Sequence, residues 1–384
     1  MDVAAAGLIA LAVAMGIGRF AFTPVLPMMR QDFGLSVTLG GWLASANYLG
    51  YLLGALSATR LRVSPATAIR AGLVAIVLLT IGMAASQTFA VWMVLRALAG
   101  IASAWVLVFT SSWSLERLSA TGRPLLSGIV FAGVGSGIVV AGLICVALMH
   151  WSASSVEAWA ALGVVALLCT AAIWRTVGRG HHQSADDPPS VVSDARHSNV
   201  ESIPLVICYG VFGFGYIIPA TFVPVMARQL VTDPLVFGWA WPLFGVAAAL
   251  TPLGAAVWAQ RIGSRRVWAV SQATLALGVI VPVVWPTIGG VMLAALFVGG
   301  TFVVITMSGM QEARAVAGAD ARPLMAAMTS AFGAGQIAGP IVATSMLGGD
   351  AHFSHALLIA GVLLIATAVA LALQRGHRRS FRRR

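Results

Sequence analysis

Long apolar runs alternate with short polar segments along almost the whole chain. A hydrocarbon core of about 30 Å takes about 20 apolar residues per helix, and the chain divides into twelve runs of that kind. The predicted spans are 3–29, 38–58, 66–87, 90–115, 125–149, 155–177, 203–229, 236–260, 267–285, 288–313, 323–347 and 353–374. The pattern therefore predicts an all-α membrane protein with twelve transmembrane helices.

One long polar segment, residues 178–202, interrupts this alternation between the sixth and seventh spans. Its Ser, Asp, His and Pro content is typical of a flexible linker. His181, His182 and His197 lie in it without a closed ligand set, which favours solvated histidines over a metal site. We predict an N-terminal six-helix bundle (1–177), a linker (178–202) and a C-terminal six-helix bundle (203–384) with a basic tail.

Composition agrees with a membrane protein and excludes a nucleic-acid partner. The chain is 59% hydrophobic and 9% charged, with a mean hydropathy of +0.92, far from a soluble domain. The net charge of +11 comes from arginines in short loops, whereas nucleic-acid binding needs a basic face. The three cysteines lie in or beside apolar runs without metal-ligand spacing. We expect no disulfide, no metal and no cofactor.

The distribution of arginine predicts the orientation. Most of the 23 basic residues fall in loops after even-numbered spans or in the C-terminal tail. Loops after odd-numbered spans carry only Arg30 and Arg228. By the positive-inside rule, both termini are expected in the cytoplasm, and we expect a multi-pass protein of the bacterial inner membrane. The first run has no basic n-region, which favours a retained helix over a signal peptide.

The two halves of the chain contain an internal repeat. "GIGRFAFTPVLPMM" from Gly16 aligns with "GFGYIIPATFVPVM" from Gly213. At the same shift, Gly41-Trp42 falls on Gly238-Trp239. Two copies of six spans in the same orientation form a parallel repeat, which places a substrate site between the halves near the bilayer midplane.

Three local patterns carry a resemblance to the major facilitator superfamily. "LRALAGIASA" (95–104) is similar to its fourth-helix motif, an arginine followed four residues later by glycine. "GALSATRLR" from Gly54 and "AQRIGSRR" from Ala259 lie where its loop signature is expected, although Ala58 and Gln260 replace the signature's aspartate. The resemblance covers the whole chain and implies two pseudo-symmetric six-helix bundles. The opening segment is most similar to the YbfB/YjiJ-type branch of bacterial transporters, which brings no secure substrate with it.

Arg19 lies near the middle of the first span, where an arginine costs several kcal/mol. One interpretation is structural, with the side chain snorkelling or binding helix carbonyls. The other is a residue that faces the cavity and binds an anionic group. We favour the second, because Arg19 is too central to reach either interface easily. In the repeat, Tyr216 takes the place of Arg19, and we predict that it lines the opposite wall.

Arg96 is a second arginine inside a span. The resemblance implies a buried, functionally important residue, often tied to proton coupling, and the alternative is an anchor between helices. No acidic residue lies deep inside a predicted span, although membrane-embedded carboxylates usually carry protons. This weakens a proton-antiport mechanism and leaves two positive charges that a substrate anion would neutralise.

Further substrate-binding candidates lie on other spans that the resemblance places around the cavity. Asn47 and Tyr51 share one helix face, where they either reach the cavity or bond across helices. Trp105 and Trp241 are candidate cavity walls, with anchoring at the lipid interface as the alternative. Gln336 is the best polar candidate on the eleventh span.

Two acidic residues are candidate gating residues. Glu116 and Glu312 are predicted to lie near the cytoplasmic ends of spans four and ten, beside Arg117 and Arg314. They fit salt bridges of a gate or loop, and a solvated pair is the alternative.

No enzyme motif is present: the chain has no Walker loop, no nucleophile elbow and no HExxH. We predict a secondary active transporter that moves a small organic anion or amphipathic metabolite by alternating access. The alternatives are a proton-coupled drug or metabolite efflux pump and a non-transporting membrane sensor. The expected partners are a small-molecule substrate, protons as a candidate coupling ion, and the lipid bilayer, with no nucleic acid. We expect a monomer.

Overall fold

A computed structural model describes residues 3–119, 122–178, 195–230, 240–345 and 353–373. Within these ranges the chain forms twelve long helices and no strand. They are α1 (Val3–Phe33), α2 (Val37–Ala58), α3 (Pro65–Ala85), α4 (Phe89–Ser119), α5 (Pro124–His150), α6 (Ser155–Gly178), α7 (Ala195–Leu230), α8 (Ala240–Ile262), α9 (Ser264–Val284), α10 (Ile288–Ala317), α11 (Arg322–Ser345) and α12 (Phe353–Leu373). The predicted all-α architecture is confirmed. Most of the predicted linker, the basic tail and the Gly238-Trp239 match lie outside the described residues.

The twelve helices differ in how apolar they are. Ten of the described helices are long and apolar enough to cross a membrane, and the two that fall below this threshold are α2 and α11. These two helices pack against each other, one from each half of the chain. A helix at an internal interface does not face the lipid tails, so it can carry the polar side chains that a binding site requires.

Helix α1 is not a regular α-helix. It is α-helical over Val3–Leu11, π-helical over Ala12–Phe20 and α-helical again over Phe22–Phe33. Pro24 and Pro27 follow the π-helical segment and have no N–H, so the carbonyls one turn earlier lose their usual donors. Segments of this kind are frequent at functional sites. The apolar pattern of the sequence does not predict this segment.

Glycines of α5 let it pack closely on two helices at once. Gly133 and Gly137 face α1, where a Cβ on either would overlap the backbone of Leu8 or Ala12. On another face, Gly135 lies against the backbone of Ala248 in α8. Small residues allow this close approach of membrane helices. Helix α5 thereby joins the first half of the chain to the second.

Polar contacts also join the halves at one end of the molecule, where α4, α6 and α10 finish and α5 and α11 begin. We call this the linker end. Gln311 of α10 donates from Nε2 to Ser127 Oγ of α5 at 3.0 Å. The Arg322 guanidinium of α11 lies 5.2 Å from the Phe109 ring of α4. These contacts hold the two halves together at the linker end in this conformation.

Glu312 forms a buried salt bridge at the same end. Its Oε1 accepts from Arg265 Nε at 2.8 Å, and its Oε2 accepts from Ser264 Oγ at 2.6 Å. Of the two alternatives for Glu312, a salt bridge or a solvated side chain, the structure has the salt bridge, and only 6% of this residue is exposed. Its partner is not the nearby Arg314, since residues two apart on a helix point to different faces.

We expect Glu312→Gln to lower the free energy of unfolding by about 2 kcal/mol, because it leaves the Arg265 guanidinium buried without a charged partner. The measurement is the thermal midpoint of the purified protein in detergent. Asp320→Asn, at an exposed position, is the matched control and should leave the midpoint unchanged. Equal midpoints for Glu312→Gln and the wild type would show that the salt bridge adds no stability.

Candidate substrate-binding site

Arg19 lies in the π-helical segment of α1, at the interface between the two halves, and is only 3% exposed. Its guanidinium carbon lies 3.8 Å from the ring centroid of Tyr51 on α2. Its Nη2 donates to Oε1 of Gln336 on α11. Among the described residues, Nε and Nη1 of Arg19 are buried without a hydrogen-bond partner. Arg19 therefore has unused donors at the centre of the molecule.

Gln336 is buried in the same way. No part of its side chain is exposed, and its Nε2 has no partner among the described residues. Its contact with Arg19 joins α1 of the first half to α11 of the second. The structure thus brings together three of the predicted site residues, Arg19, Tyr51 and Gln336, across the interface.

Arg96 of α4 holds the segment that carries Arg19. It donates from Nη1 to the carbonyl of Gly18 and from Nη2 to the carbonyl of Arg19, both at 3.2 Å. Asn47 Nδ2 in turn donates to the carbonyl of Arg96 at 3.0 Å. These contacts favour the interpretation of Arg96 and Asn47 as anchors between helices. They hold the backbone that carries the Arg19 side chain.

The electrostatics of this region are positive. In the described part of the chain, no carboxylate pairs with Arg19 or Arg96, and the buried Glu312 is already paired with Arg265. A buried charge normally needs a partner or a full set of hydrogen bonds. The described residues also contain no group of His, Cys, Asp or Glu that could hold a metal ion. The arrangement is therefore suited to an anion.

Aromatic rings surround the Arg19 guanidinium. Within 6 Å of its central carbon lie the ring centroids of Phe20, Tyr48 and Phe332, as well as that of Tyr51. Tyr216 of α7 belongs to the same group, because it stacks on Phe332 at 6.2 Å and on Phe302 of α10 at 5.1 Å. Tyr216 lies on the opposite side of the interface from α1, and its role as a wall of the binding cavity stays a prediction.

Trp241 extends this group of rings along α8. It stacks on Phe244 at 5.2 Å and lies 6.5 Å from Phe20 across the interface. The described contacts favour its interpretation as an inward-facing wall residue over an anchor at the lipid interface.

Trp105 and Glu116 lie apart from Arg19. The indole of Trp105 donates to Ser57 Oγ at 2.8 Å, which ties α4 to α2 nearer the linker end. Glu116 is exposed near the linker end of α4. The structure does not bring Trp105 to the other predicted binding residues, and gating by Glu116 and Glu312 stays a prediction.

Several aromatic residues of the candidate site were not predicted from the sequence. Tyr48 lies three positions before Tyr51, and this helical spacing could have identified it. Phe20 adjoins Arg19 but gives no periodic signal of its own. Phe302 and Phe332 lie in apolar runs where nothing distinguishes them from lipid-facing phenylalanines. Only the packing of α10 and α11 reveals them.

Comparison with known proteins agrees with this architecture. Residues 11–372 match the model of a family described as "Uncharacterised MFS-type transporter YbfB". The chain is also similar to the "Uncharacterized MFS-type transporter YceJ" of Bacillus subtilis (strain 168), with 32% identity over 94 residues, which cover 24% of each protein. The match thus spans about a quarter of that relative. The family model covers nearly the whole chain and agrees with the predicted resemblance. The chain is a multi-pass membrane protein that belongs to the YbfB family of MFS-type transporters.

Proposed function

We propose that this transporter carries a small organic anion by alternating access and that Arg19 binds its negative group. The observation that carries the proposal is the buried Arg19 guanidinium at the interface, with two unpartnered nitrogens and no carboxylate paired with it among the described residues. An isolated buried charge is costly, and an anion that hydrogen-bonds to it would offset that cost. The substrate is thus expected to take the place of a protein carboxylate.

The contact between Arg19 and Gln336 supports alternating access around this site. In our proposal the bundles are residues 1–177 and 203–384, joined by the linker 178–202, and the site lies between them. Rocking of the two bundles would part Arg19 from Gln336 and expose the guanidinium to one side of the membrane. Arg96 would act as a positioning residue, because its donors bind the carbonyls of Gly18 and Arg19.

We also propose the orientation and location. The arginine distribution supports both termini in the cytoplasm of a bacterial cell, with the protein in the inner membrane. The linker end would then face the cytoplasm. The bilayer is the surrounding partner, and a single copy is sufficient because both halves of the site come from one chain.

Proton-driven efflux is the competing mechanism, and it needs a different experiment. Proteoliposomes that contain the purified protein are loaded with a candidate anion. Anion exchange is then measured after a pH jump and at equal pH on both sides of the membrane. We expect anion exchange to continue at equal pH on both sides, because no carboxylate that could carry a proton is paired with Arg19 in the described part. Transport that stops completely without a proton gradient would favour the efflux mechanism.

We expect small carboxylates to raise the thermal midpoint of the wild-type protein and Arg19→Gln to abolish this shift. The lost hydrogen bonds involve a charged group, each worth about 1.5–3 kcal/mol, so affinity should fall at least about ten-fold. The measurement is a thermal-shift titration of purified protein with carboxylates and their neutral amides. The control is Arg266→Gln, an exposed arginine at the start of α9.

Three outcomes decide the proposal. Stabilisation by carboxylates that is lost in Arg19→Gln and kept in Arg266→Gln supports it. Equal stabilisation of the wild type and Arg19→Gln contradicts it, as does equal stabilisation by carboxylates and neutral amides. Arg19→Lys keeps the charge but loses the bidentate donor geometry, and we expect it to bind more weakly than the wild type.

A further inference from the structure

The rings around Arg19 indicate what kind of group is attached to the negative charge of the substrate. The charge of Arg19 alone does not indicate this. Among the residues that the structure describes, three ring pairs join the two halves of the chain there. Phe20 packs on Phe302 at 5.8 Å and on Trp241 at 6.5 Å, and Tyr51 packs on Phe332 at 6.3 Å. In each pair one ring comes from α1 or α2 and the other from α8, α10 or α11. These contacts must break when the two halves separate.

The polar groups of the site are few. In the described part of the chain, the side chains in contact with the guanidinium besides Gln336 are Phe20, Tyr48, Tyr51 and Phe332, which add only two phenol hydroxyls to the polar groups. A ligand with many hydroxyl groups would leave most of them without partners, which is costly in a buried site. A planar ring would instead renew the stacking and edge contacts that the separated rings lose.

The charge of the site is also limited. Nη1 and Nη2 of Arg96 bind the carbonyls of Gly18 and Arg19, and its Nε has no partner among the described residues, so Arg19 supplies most of the free guanidinium donors beside the rings. A second carboxylate on the ligand could not form a second bidentate pair, because Nη1 and Nη2 of Arg96 already bind carbonyls and only its Nε is free. One carboxylate fits this site better than two.

From these contacts we infer that the site selects an aromatic monocarboxylate, whose carboxylate binds Arg19 in place of Gln336 and whose ring packs between the rings of the two halves. The inference rests on the proposed function, because it assumes that Arg19 binds the anion. It adds that the uncharged part of the substrate is aromatic and that the substrate carries one negative charge.

The test compares four probes with the wild-type protein by thermal-shift titration: benzoate, cyclohexanecarboxylate, benzamide and phthalate. Benzoate and cyclohexanecarboxylate have the same charge and similar size, but only benzoate has a planar ring. We expect benzoate to bind on the order of five-fold more tightly than cyclohexanecarboxylate. Benzamide and phthalate should bind more weakly than benzoate.

A ring variant tests where the preference arises. Phe302→Leu should reduce the preference for benzoate, whereas Phe302→Tyr, which keeps the ring, should retain it. The matched control is Phe131→Leu on α5, a fully buried phenylalanine in the same hydrophobic cluster, which should leave the preference unchanged. If Phe302→Leu does not fold, the four probes on the wild type still decide the inference.

The results separate this inference from the proposed function. Equal binding of benzoate and cyclohexanecarboxylate, both lost in Arg19→Gln, overturns the inference and leaves the proposed function standing. Tighter binding of phthalate than of benzoate also overturns it. Equal binding of benzoate and benzamide, or benzoate binding unchanged in Arg19→Gln, overturns the proposed function and the inference together.

Discussion

Gln336→Glu is expected to form an ion pair with Arg19 and to lower substrate affinity by about 10²- to 10⁴-fold. In the wild type, the neutral Oε1 of Gln336 accepts from Arg19 Nη2. Glutamate has nearly the same shape and places a carboxylate at that position. An incoming anion would then have to break a buried ion pair, which costs about 3–5 kcal/mol. Transport should be lost even though the side chain has scarcely changed.

The measurements are the thermal midpoint without ligand and the midpoint shift on addition of carboxylates. We expect the midpoint of Gln336→Glu to rise, because the variant neutralises the buried Arg19, and the ligand shift to disappear. Gln272→Glu is the matched control. Gln272 is fully buried and forms hydrogen bonds with Trp268 and Thr367 rather than with a guanidinium. Gln272→Glu should therefore lower the thermal midpoint, because it buries a carboxylate without a cation. A ligand shift of wild-type size in Gln336→Glu would contradict a carboxylate site at Arg19.

Gly50→Val is expected to prevent stable packing of α2 on α4, with a loss of more than about 3 kcal/mol in the free energy of unfolding. A Cβ at Gly50 would overlap the carbonyl of Ala97, which cannot move without its helix. Gly100 of α4 lies equally close to the backbone of Asn47. A larger side chain would separate the two helices and also displace Tyr51 from Arg19.

The amount of monodisperse protein after size-exclusion chromatography measures this effect, together with the thermal midpoint. Gly254→Val on α8 is the control, because a Cβ there meets no atom within 4 Å. Both variants add the same β-branched side chain to a membrane helix, so helix propensity cancels in the comparison. Equal yields and midpoints would show that the contact between α2 and α4 is looser than the structure indicates.

Much of the fold could be predicted from the sequence, because the signals that carry it are local. Apolar runs of about 20 residues mark the helices, and the glycine and proline matches between Gly16 and Gly213 mark the repeat. Ser36 and Ser64 accept from the backbone N–H three residues later, at 3.1 Å each, and so begin α2 and α3. Such capping depends on neighbouring residues alone.

The π-helical segment of α1 could not be predicted from the neighbouring residues alone. The sequence contains Gly16, Gly18 and Pro24, which weaken the regular hydrogen bonding of a helix. They do not predict which backbone carbonyls will accept hydrogen bonds from another helix. Arg96 supplies those donors from α4, 77 positions away in the case of the Arg19 carbonyl. The geometry of Arg19 therefore depends on a contact between helices.

The sequence by itself determined the twelve spans, the repeat and the position of Arg19 in the middle of an apolar run, because each follows from the order of neighbouring residues. Only the tertiary structure decided that Gln336, 317 positions away, contacts Arg19 and that Glu312 pairs with Arg265. It also decided that phenylalanines of α10 and α11 lie among the rings around Arg19. These pairings depend on the rotation of each helix about its axis and on the angle at which it crosses its neighbours. The hydrophobic periodicity of the sequence does not determine either of them.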